Sequence, residues 1–174
     1  MDVTRPSGIA VPIALPPAVA RLRRRFDLAA SIGARPHVTI LFPFVPEPAL
    51  TPAVRRELQA VAATVEPFDV RFASTRQFDS VLWLEPDPSE PFQRLTAAAT
   101  RRWPDWPPYG GLFDTVIPHL TVVESETAPL ADLEPLVRAA LPFTSRATHL
   151  ETWFLDSAGR WRPRWRIALG GVRR

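Results

Sequence analysis

Two short segments of this chain nearly repeat each other. The first reads Arg35-Pro36-His37-Val38-Thr39-Ile40-Leu41; the second, 82 residues further on, reads Ile117-Pro118-His119-Leu120-Thr121-Val122-Val123. Each is Pro-His-apolar-Thr followed by two aliphatic residues, and the chain holds only three histidines. Runs rich in Val, Ile and Leu with a period of two read as strands. The surrounding elements repeat as well. Ile9 to Leu15 reads as a buried strand, and Pro16-Pro17 opens a helix through Val19, Leu22 and Phe26. The strand His37 to Phe44 follows. Thr51-Pro52 then starts a helix through Val54, Leu58, Val61 and Val65, and Phe68, Val70 and Phe72 alternate as a strand. The order restarts with strand Val81 to Glu85, a helix after Pro91 (Phe92, Leu95, Ala99) and strand Val116 to Val123. A helix (Leu130, Leu133, Val137, Ala140) and strand Thr148 to Leu155 complete it.

The expected organisation is therefore one domain over 1–174, with lobe-forming repeats at about 8–75 and 80–156. A closing strand, 160–169, returns through the turn Asp156-Ser157-Ala158-Gly159. Strict alternation in it would put Trp161, Trp165, Ile167 and Leu169 on one face and Arg160, Arg162, Arg164 and Arg166 on the other. Similar halves pack around a pseudo-two-fold axis, and equivalent residues then meet at the interface, a common place for a site.

Strand alternation gives the repeat its chemical meaning. Residues i and i+2 point the same way, so His37 shares a face with Thr39, and His119 with Thr121. Val38, Ile40, Leu120 and Val122 then point the other way, into a core. Two imidazoles and two hydroxyls facing one cleft suit phosphodiester chemistry. A neutral imidazole accepts a proton from water or a sugar hydroxyl, a protonated one gives a proton to a leaving oxygen, and threonine hydroxyls donate to phosphate oxygens. A metal site is the other option for such a pair, with Asp114 or Glu124 as further ligands, but there is neither a cysteine nor a His-x-x-x-His.

Composition narrows the classes. The absence of cysteine removes disulfide scaffolds, cysteine nucleophiles and thiolate zinc sites. The chain also lacks a Walker A loop, and with no lysine at all it has no adenylation nucleophile. A pI of 10.8 reflects an all-arginine basic set at a net charge of only +3, so steering toward long polyanions is weak. The apolar stretch from Gly8 to Ala20 follows Asp2 and is broken by Pro12, Pro16 and Pro17, which argues against a signal peptide and for a cytoplasmic protein. No run is long enough to span a bilayer.

The paired His-x-Thr motifs resemble the 2H phosphoesterase superfamily, which includes the 2′-5′ RNA ligases and cyclic nucleotide phosphodiesterases. The stretch Pro107-Pro108-Tyr109-Gly110-Gly111-Leu112-Phe113-Asp114 is also similar to bacterial members. The resemblance covers nearly the whole chain. It implies a bilobal α+β fold, with antiparallel sheets lining a central cleft and helices outside. It implies metal-independent, cofactor-free hydrolysis or reversible ligation of 2′,3′-cyclic phosphates or 2′-5′ phosphodiesters in RNA ends or small nucleotides. His37 and His119 would be the acid and base, in an order the sequence leaves open, and Thr39 and Thr121 the phosphate-binding groups. Tyr109 and Phe113, in a Pro/Gly-rich loop ahead of His119, are candidates to contact substrate, as is Arg35, which shares a face with His37. Trp83 and Phe42 read as core, His149 as structural, and the arginines of the first helix (Arg21, Arg23, Arg24, Arg25) as a solvated face. The expected partner is an RNA terminus or small cyclic nucleotide, with no membrane and a monomeric chain. The alternative is a non-catalytic RNA- or nucleotide-binding module using the same cleft.

Overall fold

The computed structural model describes residues 5–171; the two ends of the expected 1–174 domain lie outside the described residues. Eight strands form one antiparallel sheet: β1 (Ser7–Pro12), β2 (His37–Phe44), β3 (Phe68–Phe78), β4 (Val81–Asp87), β5 (Leu120–Glu124), β6 (Phe143–Ala147), β7 (His149–Leu155) and β8 (Trp161–Ala168). The helices are α1 (Pro17–Phe26), α2 (Leu28–Ser31), α3 (Pro52–Ala62), α4 (Glu90–Arg102) and α5 (Leu130–Arg138). Local chemistry places their ends. Pro17 and Pro52 open α1 and α3, where a missing N–H costs nothing, and Thr51 Oγ1 accepts from Val54 N at 3.4 Å to cap α3. Arg23, Arg24 and Arg25 fill the last turn of α1, where the helix dipole favours cations.

The strand order, β6-β3-β4-β5-β2-β1-β7-β8, reads as two quartets meeting back to back at β5 and β2. Their registers match step for step. In one quartet Thr39 pairs with Ala10, Ala10 with Glu151, and Gly8 with Trp153. In the other Thr121 pairs with Trp83, Trp83 with Arg76, and Val81 with Phe78. This is the pseudo-two-fold in concrete form. The quartets join through a single ladder pair, Val38↔Leu120.

The quartets are not the two sequential repeats. β3, expected in the first repeat, pairs with β4 and β6, and β7, expected at the end of the second, pairs with β1 and β8. The repeat boundary drawn near residues 75–80 cuts a hairpin. Only Asp79 and Ser80 separate β3 from β4, and so short a connection forces its strands to be neighbours. The helices cross over too: α1, which follows β1, packs on β5, while α4, which follows β4, packs on β2.

Three local readings also change. β6 was not expected. Its inward positions Ser145 and Ala147 are small, so its alternation carries little hydrophobic signal. β5 begins at Leu120 rather than Val116, leaving His119 just ahead of the ladder. In β8 the register shifts between Thr152↔Trp165 and Trp153↔Pro163, a bulge at Arg164. The bulge breaks strict alternation: Trp165 packs on the core, whereas Trp161 turns to the opposite, cleft-lining face.

The core lies between the helices and one face of the sheet. Val38, Ile40, Leu120 and Val122 are all at most 1% exposed and join Phe44, Leu58, Phe72 and Leu95 there, as their alternation predicted. Leu120→Ala should therefore cost about 2–5 kcal/mol of stability in a single cooperative denaturant transition. Leu112→Ala, at a side chain 81% exposed, should stay within about 0.5 kcal/mol.

Candidate active site

The opposite, concave face of the sheet is a cleft of about 820 Å³. β2 and its neighbour β5 run antiparallel at its centre, so the two motifs approach head to tail. His37, Thr39, His119 and Thr121 all line this one cleft, each half-buried.

Both imidazoles are held in the same way. His37 Nδ1 lies 2.6 Å from the carbonyl oxygen of Arg35, and His119 Nδ1 lies 2.7 Å from that of Ile117, in each case the residue two positions earlier. A carbonyl only accepts, so each Nδ1 carries the proton and each Nε2 is left as a basic nitrogen for a ligand. Each ring also packs against a tryptophan: His37 and Trp153 have centroids 5.8 Å apart, His119 and Trp83 5.7 Å apart. Phe78 meets His119 edge-on at 5.3 Å. These walls exclude water and favour the neutral imidazole. Burial, helped by the charges of Arg23 and His119, pushes His37 down to about 4; burial also lowers His119.

Beside the motifs stands a residue the sequence reading set aside. Arg21, Arg24 and Arg25 are exposed as expected, but Arg23 is buried and lines the cleft. Its Nε donates to the Thr121 carbonyl at 3.2 Å, Nη1 to the Ala34 carbonyl at 2.8 Å, and Nη2 pairs with Asp27 at 2.7 Å. One guanidinium thus ties the second motif to the loop that leads into the first. Four arginines in five residues look alike in sequence. The period of α1 puts Arg23 four residues after Val19, on the buried face, and that was the available signal.

Tyr109 sits in a 3-10 turn, Pro108–Gly111, that lies against β2. It has φ +52°, the one positive φ outside glycine among the described residues, followed by Gly110 and Gly111 at +64° and +77°. Three consecutive left-handed residues turn the phenol into the cleft that Thr39 also lines, and burial raises its pKa so that it stays protonated. Phe113 lines the cleft against Tyr109, with ring centroids 5.6 Å apart.

Other expectations fall differently. Arg35 is not among the cleft-lining residues; its guanidinium pairs with Glu151 at 3.2 Å. Phe42, read as core, is half-buried and lines the cleft; Trp83, also read as core, is buried but stands outside the core cluster, packed on the His119 and Phe78 rings. His149 bonds Thr148 Oγ1 at 2.8 Å and stands outside the cleft. The arginines of β8 are exposed, and Arg162 is paired with Asp156 at 2.7 Å. Glu124 lines the cleft but Asp114 does not, and among the described residues no three His, Asp or Glu side chains gather as a metal site.

The profile of the 2′-5′ RNA ligase superfamily matches residues 11–158. The chain belongs to that superfamily. It is thus one of the 2H phosphoesterases that its two His-x-Thr motifs resemble. Solved structures agree on the fold. The protein TT0787 of Thermus thermophilus is 18% identical, with 97% of this chain and 100% of that one covered at a TM-score of 0.60. Escherichia coli LigT complexed with 3′-AMP is 17% identical, with 95% and 98% covered at a TM-score of 0.55. No curated protein sequence matches the chain. Among the described residues no helix is long and apolar enough to cross a membrane.

Two outcomes follow for the superfamily site in this chain. Between the ordinary histidine value of 6.5 and about pH 4, unfolded chains take up a proton that folded His37 refuses, so stability falls as pH falls through that window. His37→Gln should flatten that acid limb in denaturant titrations, and NMR should show the His37 ring titrating near pH 4. Arg23→Met leaves Asp27 buried without its partner and should cost about 3–5 kcal/mol, while Arg23→Met with Asp27→Leu recovers much of it. Equal losses in the single and double variants would show that the pair does not act as a unit.

Proposed function

We propose that this chain is a phosphoesterase acting on 2′,3′-cyclic phosphates or 2′-5′ phosphodiesters of RNA ends or small nucleotides, with His37 and His119 as general base and acid. The observation that carries the reading is the matched tethering of the two rings, each with Nδ1 on the carbonyl two residues back, in a cleft that the threonine two residues further on also lines. The 3′-AMP bound by LigT, a relative in fold, is a ligand of the same chemical class.

In hydrolysis of a cyclic phosphate, His37 Nε2 takes a proton from water as the water oxygen bonds to phosphorus. The bond from phosphorus to one ribose oxygen breaks, and protonated His119 gives its Nε2 proton to that oxygen. The product is a phosphomonoester, and the proton held on His37 returns to solvent. With a ribose hydroxyl in place of water, the same steps run as ligation. His37 suits the base because Arg23 and His119 add to the burial that keeps it neutral, whereas burial alone depresses His119. A bound phosphate anion favours the protonated form of both rings, so that His119 takes its proton from solvent before the bond to the leaving oxygen breaks. Thr39, Thr121 and the Tyr109 phenol donate to the non-bridging oxygens, and Arg23 holds the Thr121 backbone and balances phosphate charge.

The test is turnover of nucleoside 2′,3′-cyclic phosphates and of 2′-5′-linked dinucleotides in the presence of EDTA. His37→Ala and His119→Ala should each lower kcat/KM by about 10²–10⁴-fold. Thr39→Val or Thr121→Val should lower it by about 10–100-fold, the worth of one hydrogen bond to a charged group. The wild-type pH profile should be bell-shaped, with the acid limb lost in His37→Ala. Nucleotide binding without turnover on any of these substrates would replace the enzyme with a binding module.

A further inference from the structure

One of the two imidazoles is tethered through a chain of contacts that the other lacks. The carbonyl that holds His37 Nδ1 belongs to Arg35, and the Arg35 guanidinium reaches Glu151 Oε1 on β7 at 3.2 Å. Glu151 is only 4% exposed. The same Oε1 accepts from His149 Nε2 at 3.4 Å, and His149 Nδ1 lies 2.8 Å from Thr148 Oγ1. A carboxylate only accepts, so Nε2 carries the His149 proton and Nδ1 takes that of the threonine hydroxyl. Burial lowers the His149 pKa, which keeps the ring in this neutral form. Burying a carboxylate on a sheet is costly, and a hydrocarbon of the same shape would serve packing better. Glu151 is therefore explained by what it holds.

The segment that carries the tether is anchored on three successive residues. Arg23 Nη1 donates to the Ala34 carbonyl at 2.8 Å, Glu151 holds the Arg35 side chain, and the Ile13 N–H donates to the Pro36 carbonyl at 2.9 Å. The outer anchors fix the ends of the segment. The Arg35–Glu151 pair fixes the residue whose carbonyl meets the ring. Trp153, two residues beyond Glu151 on the same side of β7, packs on the His37 ring itself. The second half is built differently. The carbonyl that holds His119 belongs to Ile117, whose side chain can form no ion pair. The ladder position equivalent to Glu151 is Arg76, which pairs with Glu85 at 3.2 Å.

We infer that Glu151 is a positioning residue for His37: by holding Arg35 it keeps that residue's carbonyl on Nδ1, so that the ring stays in the tautomer whose Nε2 can act as a base. The base role rests on the phosphoesterase reading above; the tether itself does not. Arg35, outside the cleft lining, thus serves the site from behind. The one-sided tether matches the division of labour. A base works only with Nε2 unprotonated, so its tautomer matters, whereas an acid carries protons on both nitrogens.

Heteronuclear NMR of the imidazole nitrogens at neutral pH reads the tautomer of each ring. In wild type both His37 and His119 should carry the proton on Nδ1. In Glu151→Ala and in Arg35→Ala the His37 nitrogens should move toward a mixture of tautomers while those of His119 stay. The two substitutions combined should do no more than either alone. Glu151→Gln, whose amide oxygen still accepts from Arg35, should keep most of the wild-type pattern. With a nucleoside 2′,3′-cyclic phosphate, kcat should fall about 10–100-fold in the alanine variants with KM little changed, because the threonines are untouched. An unchanged His37 ring in either alanine variant, or one that shifts together with His119 as in a general loosening, overturns the inference. Where Glu151→Ala does not fold, Arg35→Met with Glu151→Leu, which leaves no charge buried, reads the same link. If the wild type turns over no cyclic phosphate, the phosphoesterase reading fails, and the ring spectra alone decide the tether.

Discussion

Everything in this structure depends on the alternation of the two central strands. Along β2 and β5 each core-facing aliphatic residue, Val38, Ile40, Leu120 or Val122, is flanked by a cleft-facing motif residue. Burying four side chains completely pins both strands in register, because a slip by one residue would drive histidine and threonine into the core and aliphatics into the cleft. The driving force that folds the sheet is thus the same one that aims the chemistry. His37 and His119 need no separate device to point them inward.

What the alternation does not set, the backbone and one buried ion pair do. Carbonyls two residues upstream choose the tautomer of each imidazole, a detail that decides whether Nε2 can act as a base. Arg23 reaches from α1 to the Thr121 and Ala34 carbonyls, so it couples the two motifs that the Val38↔Leu120 pair only brings side by side. Its burial beside Asp27 is costly for both charges and is offset only because each has the other.

The pseudo-symmetry is closer in register than in chemistry. Ala10 and Trp83 occupy equivalent ladder positions, as do Trp153 and Phe78, and Glu151 and Arg76. The cleft therefore has matched histidine and threonine side chains at its centre and unequal walls around them.

Much of this was legible in the linear chain. The period-two pattern, the paired Pro-His-apolar-Thr strings and the Thr51-Pro52 helix start are local signals with local causes, so strands, helix starts, core residues and the four motif residues could be read from them. The failures share a physical reason. The split into sequential halves ignored that a two-residue link makes β3 and β4 neighbours. The arginines of α1 looked equivalent until packing buried one of them, Arg35 looked cleft-facing until Glu151 paired with it, and the bulge in β8 reversed Trp161. By itself the sequence determined which motif residues at β2 and β5 face the cleft and which the core, because side-chain alternation in a regular strand is a property of the strand alone. Only the tertiary structure decided which inward-facing groups share a cleft and which are bound to other partners, because those contacts, 98 residues apart for Arg23 and Thr121 and 116 for Arg35 and Glu151, exist only once the sheet has closed.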